Sequence, residues 1–154
     1  MIRPTLASFA VVIVLGGVAQ AELSRGVIAT FHGQLVISKD ELPEGKNDGE
    51  TIKKINAARL KEVVGEKTGD VMVWHFHYTA FLTRNGASQL RLEFLDEKND
   101  LKANQNLNDV DPKANVQLGD IGIDEDEGLA KGKTYTVELL SGSTIVAKTT
   151  LTTK

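Results

Sequence analysis

The chain has 154 residues, 41% of them hydrophobic and 25% charged, with 18 basic side chains against 21 acidic ones and no cysteine. Without cysteine, thiol catalysis, thiolate metal sites and disulfide staples are excluded. A mildly acidic balance with interspersed signs lacks the basic footprint of a nucleic-acid binder, and no Lys/Arg cluster marks an anionic membrane surface.

The first stretch, MIRPTLASFAVVIVLGGVAQA, has a basic start at Arg3, an apolar run from Leu6 to Val18, and small residues at Ala19 and Ala21. That three-part pattern predicts a secretory signal peptide over residues 1–21, cleaved after Ala21. The apolar run falls short of the ~20 residues a spanning helix needs. Residues 22–154 then form the mature chain, 133 residues with 17 basic against 21 acidic side chains. That length suits one domain with a real core. No later apolar stretch is long enough for membrane insertion, so the expected location is periplasmic or extracellular.

GVIATFHGQLVIS places Val27, Ala29, Phe31, Leu35 and Ile37 on one parity, with Thr30, His32, Gln34 and Ser38 on the other. Period two predicts a half-buried strand, kinked at Gly33. KDELPEGKNDGE reads as a loop. TIKKINAARLKEVV carries Ile52, Ile55, Arg59 and Val63 near one helical face. Asn47 and Glu50 have the offset of a capping box, and Gly65 offers a stop, so one short helix is expected here.

The strand pattern returns at Val71, with Trp74, Phe76, Tyr78, Ala80 and Leu82 on one face. Asn85-Gly86 is a strong hairpin signal, and Leu90, Leu92 and Phe94 alternate after it, so the two strands are expected to pair. A polar connection follows, with a short edge strand near Leu101. VQLGDIGI predicts a strand whose glycines permit a bulge. TYTVELL buries Tyr135, Val137 and Leu139, and TIVAKTTLTT buries Ile145, Ala147 and Leu151. Six to eight strands and one short helix predict a mainly β protein, an antiparallel β-sandwich. A small closed barrel, or a mixed sheet with the helix on one face, stays open.

GLAKGKTYTVELLSGSTIVAKTTLTT resembles the last strand pair of fibronectin type III and related immunoglobulin-like domains. Leu129, Gly132, Tyr135 and Val137 stand where that family has its Leu and its Gly-x-x-Tyr-x-Val. The resemblance implies an immunoglobulin-like sandwich in which the Tyr135 hydroxyl bonds back to upstream backbone while its ring enters the core. It implies no activity, because the fold hosts many functions.

Two groups of residues are candidates for chemistry. His75 and His77 share one face of their strand, and His32 lies on the polar parity of another. If those strands pair, the three imidazoles could grip Cu or Zn. The bland alternative is a wet face, which could equally serve as a contact surface with Thr30, His32, His75 and His77. Asp120, Asp124, Glu125, Asp126 and Glu127, with Asp109 and Asp111, could hold Ca, but the EF-hand offset fails and an acidic turn is commoner. No nucleophile elbow, metalloprotease or phosphate-loop motif is present, so no enzyme is expected. The expected role is binding or structural association with an unknown protein or envelope partner. Metal handling through the three histidines is the alternative.

Overall fold

The structure is a computed structural model, and it describes residues 23–154. The expected signal peptide, residues 1–21, lies outside the described residues. In chain order the elements are α1 (Arg25–Thr30), β1 (Leu35–Ser38), α2 (Asp48–Ala58), β2 (Glu62–Val63), β3 (Glu66–Thr68) and β4 (Val71–Phe81). They continue with β5 (Leu90–Leu95), β6 (Leu101–Leu107), β7 (Val116–Asp124), β8 (Thr134–Ser141) and β9 (Thr144–Thr153).

The strands form two sheets. β4 is the centre of the first, flanked by β1 and β3 on one side and β7 on the other; the second runs β2-β9-β8-β5-β6. All named pairs are antiparallel except β2 with β9. The inner faces meet in one core of Leu35, Ile37, Trp74, Phe76, Tyr78, Leu92, Phe94, Tyr135 and their neighbours. The sandwich therefore holds, and neither the barrel nor the single mixed sheet does. Trp74 is fully buried, and burying such a side chain stabilises the fold by about 1.5–3 kcal/mol.

A second, smaller core explains several departures from expectation. Val27, Phe31 and Ile55 come from the helical segments and pack on Val36, Phe81 and Val116. These last three lie on the outer face of the first sheet. The segment read as one long strand from residue 26 is thus a helix, a turn and a short strand. Ser24 caps α1, its Oγ accepting from the Val27 N–H at 3.2 Å. Val27 and Phe31 are four residues apart, a helical spacing as well as an even one, so alternation alone misassigned them. Phe31 lies 5.2 Å from Phe81 between ring centroids.

The second helix is where the sequence places it. Asn47 Oδ1 accepts from the Glu50 N–H at 2.9 Å, while Glu50 reaches back to the Lys46 N–H at 3.0 Å. The helix stops earlier than Gly65, because Arg59 turns extended and its chain enters β2. Val63 consequently belongs to a strand.

The expected β4–β5 hairpin does not form. β4 and β5 lie in different sheets, and only Gly86 of the Asn85-Gly86 pair has positive φ. A type I′ turn needs both, so the dipeptide serves a crossover between sheets. Nor does β7 bulge: its nine pairs with β4 run without a register shift. Its glycines make room for rings instead. A Cβ at Gly119 would stand 3.1 Å from the Tyr78 ring, and one at Gly122 would stand 2.9 Å from His75. The irregularity falls in β8–β9, between Leu139 and Leu140. It turns Ile145 outward, against expectation, where it is 43% exposed.

Candidate functional site

Strand β4 carries the expected histidines, and the structure separates their fates. His75 is exposed, whereas His77 is buried along with Thr79 and Phe81. The second face of β4 is therefore wet only at its beginning. Thr30 is exposed on α1, its hydroxyl donating to the Gly26 carbonyl at 2.8 Å. His32 sits in the following turn, beside Gly33, whose N–H bonds Phe81 O at 2.7 Å. That places His32 near the far end of β4, which is about 13 Å along the strand from His77 at ~3.3 Å per residue. The three imidazoles do not converge, and Thr30, His32, His75 and His77 do not form one exposed face. Among the described residues no three His, Asp or Glu side chains gather as a metal-holding group.

What His77 does gain is a neighbour on each side. In register across the sheet stand Ser38 of β1, His77 of β4 and Asp120 of β7. His77 Nδ1 lies 2.9 Å from Asp120 Oδ1. These are the residue types of a hydrolytic triad, but the bonds are not. Ser38 Oγ donates to the Asp40 carbonyl at 2.6 Å, and His77 Nε2 is buried without a partner among the described residues. A serine activated by this histidine would need the bond that Asp40 has taken.

The acidic loop is occupied by its own backbone. Glu127 N–H donates to Asp124 Oδ1 at 3.0 Å, and Asp124 N–H donates to Glu127 Oε2 at 2.9 Å. Asp111 Oδ1 similarly accepts from the Lys113 N–H at 2.9 Å.

Of the clefts lined by the described residues, two bear on ligand binding. The larger, about 570 Å³, lies where the β5–β6 turn meets the β7–β8 connection, lined by Asp96, Lys98, Lys102, Lys133 and Tyr135 among others. Its polar floor is already paired. The Tyr135 hydroxyl accepts from the Ala130 N–H at 2.9 Å, as the tyrosine corner implies. Asp96 Oδ1 accepts from the Asp100 and Lys98 N–H groups. Those bonds, Asp100's foremost, hold the Asp96 carboxyl below its usual range.

The smaller cleft, about 320 Å³, lies on the open side of the sandwich between β6 and β7. Asn106, Asn108, Gln117, Leu118 and Tyr78 line it. Its volume is at the lower bound of ordinary ligand pockets, ~300 Å³. Tyr78 is 6% exposed, its ring lying over Gly119. Among the described residues its hydroxyl has no hydrogen-bond partner. Burial pushes this phenol up to about 12, and the nearby Asp120 charge adds to the shift. A neutral donor on a buried ring, its oxygen open to a cleft of carboxamides, is the feature here that most resembles an unfilled contact. Gln117 is fixed for the purpose, its Nε2 donating to the Asp111 carbonyl at 2.9 Å. Tyr78 was legible in the sequence as core, but its hydroxyl and Asp120 were not legible as neighbours, because only the β4–β7 register brings them together.

An immunoglobulin-like protein of Pseudomonas aeruginosa is similar over 79% of this chain and 90% of its own, at 12% identity and a TM-score of 0.39. A β-glucuronidase of Bifidobacterium dentium is similar over 78% of this chain at 16% identity and a TM-score of 0.32. The chain spans 17% of that enzyme's length. No family model and no curated protein matches the chain. Two packed sheets, a buried tryptophan and a tyrosine corner make the fold an immunoglobulin-like β-sandwich.

Proposed function

We propose that this is an exported, non-catalytic binding protein whose contact site is the cleft between β6 and β7. The observation that carries the reading is Tyr78, whose ring is buried while its hydroxyl, without a partner among the described residues, opens onto a 320 Å³ cleft. That oxygen opens onto the cleft and is not sealed from water, so a ligand acceptor there would take the place of water on a donor held by its buried ring. Export rests on the pattern of residues 1–21. The non-catalytic reading is supported by Ser38, whose hydroxyl is bonded to Asp40 rather than offered to His77.

Two measurements test it. The mass of the native protein should correspond to a chain starting at Glu22, and a chain retaining Met1 would refute export. Immobilised chain exposed to native envelope extract should retain a partner that Tyr78→Phe loses. Retention indifferent to that change would remove the cleft from the account.

A further inference from the structure

The same open side carries an unpaired strand edge. Among the described residues, strand β7 pairs with β4 alone. In an antiparallel ladder the N–H and C=O of a residue point one way, and successive residues alternate. Beyond each end of β7 the alignment continues with odd-numbered residues: Leu82 N–H bonds Asn115 O, and Glu125 N–H bonds Met72 O. The odd positions therefore face β4. Leu118, Asp120 and Gly122 direct their backbone groups away from the sheet, while the Asp124 N–H is taken by the Glu127 carboxylate.

The other edges are short or covered, apart from β6, which is approached only at its Lys102 end. β2 and β3 have two and three residues. β1 has its Ile37 carbonyl bonded by the Leu60 N–H and its approach at Gly33 bonded by Lys148. β6 carries Lys102, and Gly128 lies against the Lys102 carbonyl. β7 has no Lys, no Pro and no bulge, the usual devices that stop an edge from accepting another strand. Gly122 adds no side chain to it, and the ring of His75 covers that glycine from the β4 side.

We infer that β7 is a strand-addition site for an extended, basic peptide segment of a partner protein, an inference that rests on the binding role proposed for the adjacent cleft. Backbone bonds to Leu118, Asp120 and Gly122 supply register and affinity. Alternate side chains of the added strand fall on the cleft side, within reach of Tyr78. On the opposite face they meet Asp120 and Asp124, and the Asp120 carboxylate is 88% exposed. The nearest cations in sequence, Lys113 before β7 and Lys131 after it, each stand seven residues from this acidic row. The same row disfavours a second copy of this chain, since β7 against β7 would bring like charges together. Charge complementarity selects a lysine- or arginine-bearing strand.

The test uses the chain from Glu22 onward, with a displayed library of random peptides and two defined probes, an alternating Lys-Val-Thr-Val peptide and its Glu counterpart. The lysine probe and the selected peptides should protect the amides of Leu118, Asp120 and Gly122 from hydrogen exchange, and should weaken as salt rises. Gly122→Pro removes an outward N–H that β4 does not use, and Leu118→Lys places a cation on the edge. Each should weaken the lysine probe by roughly tenfold or more, while the near-ultraviolet signal of Trp74 reports that the variant is folded. Equal binding of the Glu probe, binders indifferent to both variants, or no binder at all would overturn the inference. Binders that lose affinity with Tyr78→Phe yet leave the three amides unprotected would overturn strand addition and keep the cleft. Loss of the Tyr78 effect with the amides still protected would do the reverse.

Discussion

His77 and Asp120 are bonded at 2.9 Å across β4 and β7, yet the first side chain is 3% exposed and the second 88%. A surface carboxylate thus satisfies one nitrogen of a buried ring. The other nitrogen, Nε2, is buried without a partner among the described residues.

Removing that acceptor should leave both ring nitrogens unbonded. An orphaned buried polar group costs about 1–3 kcal/mol. Asp120→Ala is therefore expected to lower unfolding stability in urea by that order, and Asp120→Asn, which keeps a carbonyl acceptor, by less. Identical, negligible losses for both would mean that the bond contributes nothing.

Tyr78 links stability to alkaline pH. Its pKa is raised from 10.0 to about 12 in the folded chain, so between those values the folded state keeps a proton that the unfolded state loses. The favourable contribution is complete below pH 10 and is lost as pH rises toward 12. A displacement of that size amounts to on the order of 3 kcal/mol. Wild type should lose stability over that window faster than Tyr78→Phe. In an ultraviolet titration the phenolate of Tyr78 should appear late, and Asp120→Ala should move it earlier.

The tyrosine corner predicts a different cost. Tyr135→Phe keeps the buried ring but removes the acceptor of the Ala130 N–H. The expected loss is about 1–3 kcal/mol, read as a lower denaturant midpoint with an unchanged slope. A wild-type midpoint would show that water replaces the hydroxyl there.

Two glycines with positive φ should behave unequally. Gly69 (φ +64) has open space where a Cβ would stand, whereas Gly128 (φ +119) would drive a Cβ into the Lys102 backbone. Gly69→Ala should cost about 1–2 kcal/mol from backbone conformation alone. Gly128→Ala should cost more, because the β7–β8 connection must shift off β6. Equal thermal shifts for the two would contradict the close approach.

The separated histidines give a clear expectation for metal titration. Calorimetry with Zn²⁺ or Cu²⁺ at neutral pH should give heats that His32→Ala leaves unchanged, since His32 shares no site with His75 or His77. Joint loss of one binding event in His32→Ala and His77→Ala would show that the three converge in solution.

The amino-acid sequence by itself determined which side chains are core-facing along β4, β5 and β8, though not in the segment from residue 26 or at Ile145. Trp74, Phe76 and Tyr78, then Leu92 and Phe94, then Tyr135, Val137 and Leu139 are buried as their period of two requires. The Asn47 cap and the Tyr135 corner were legible for the same reason, since both join residues a few positions apart. Only the tertiary structure decided what lies on the second face of a strand and which strand comes beside it. Two helices cover β4 from Phe81 and bury its neighbours, and a crossover at Gly86 sends β5 to the other sheet. His77 gains Asp120, and Tyr78 gains its cleft, through a register between residues some forty positions apart. Local periodicity records how a strand divides its faces; the partner on each face is fixed by long-range packing.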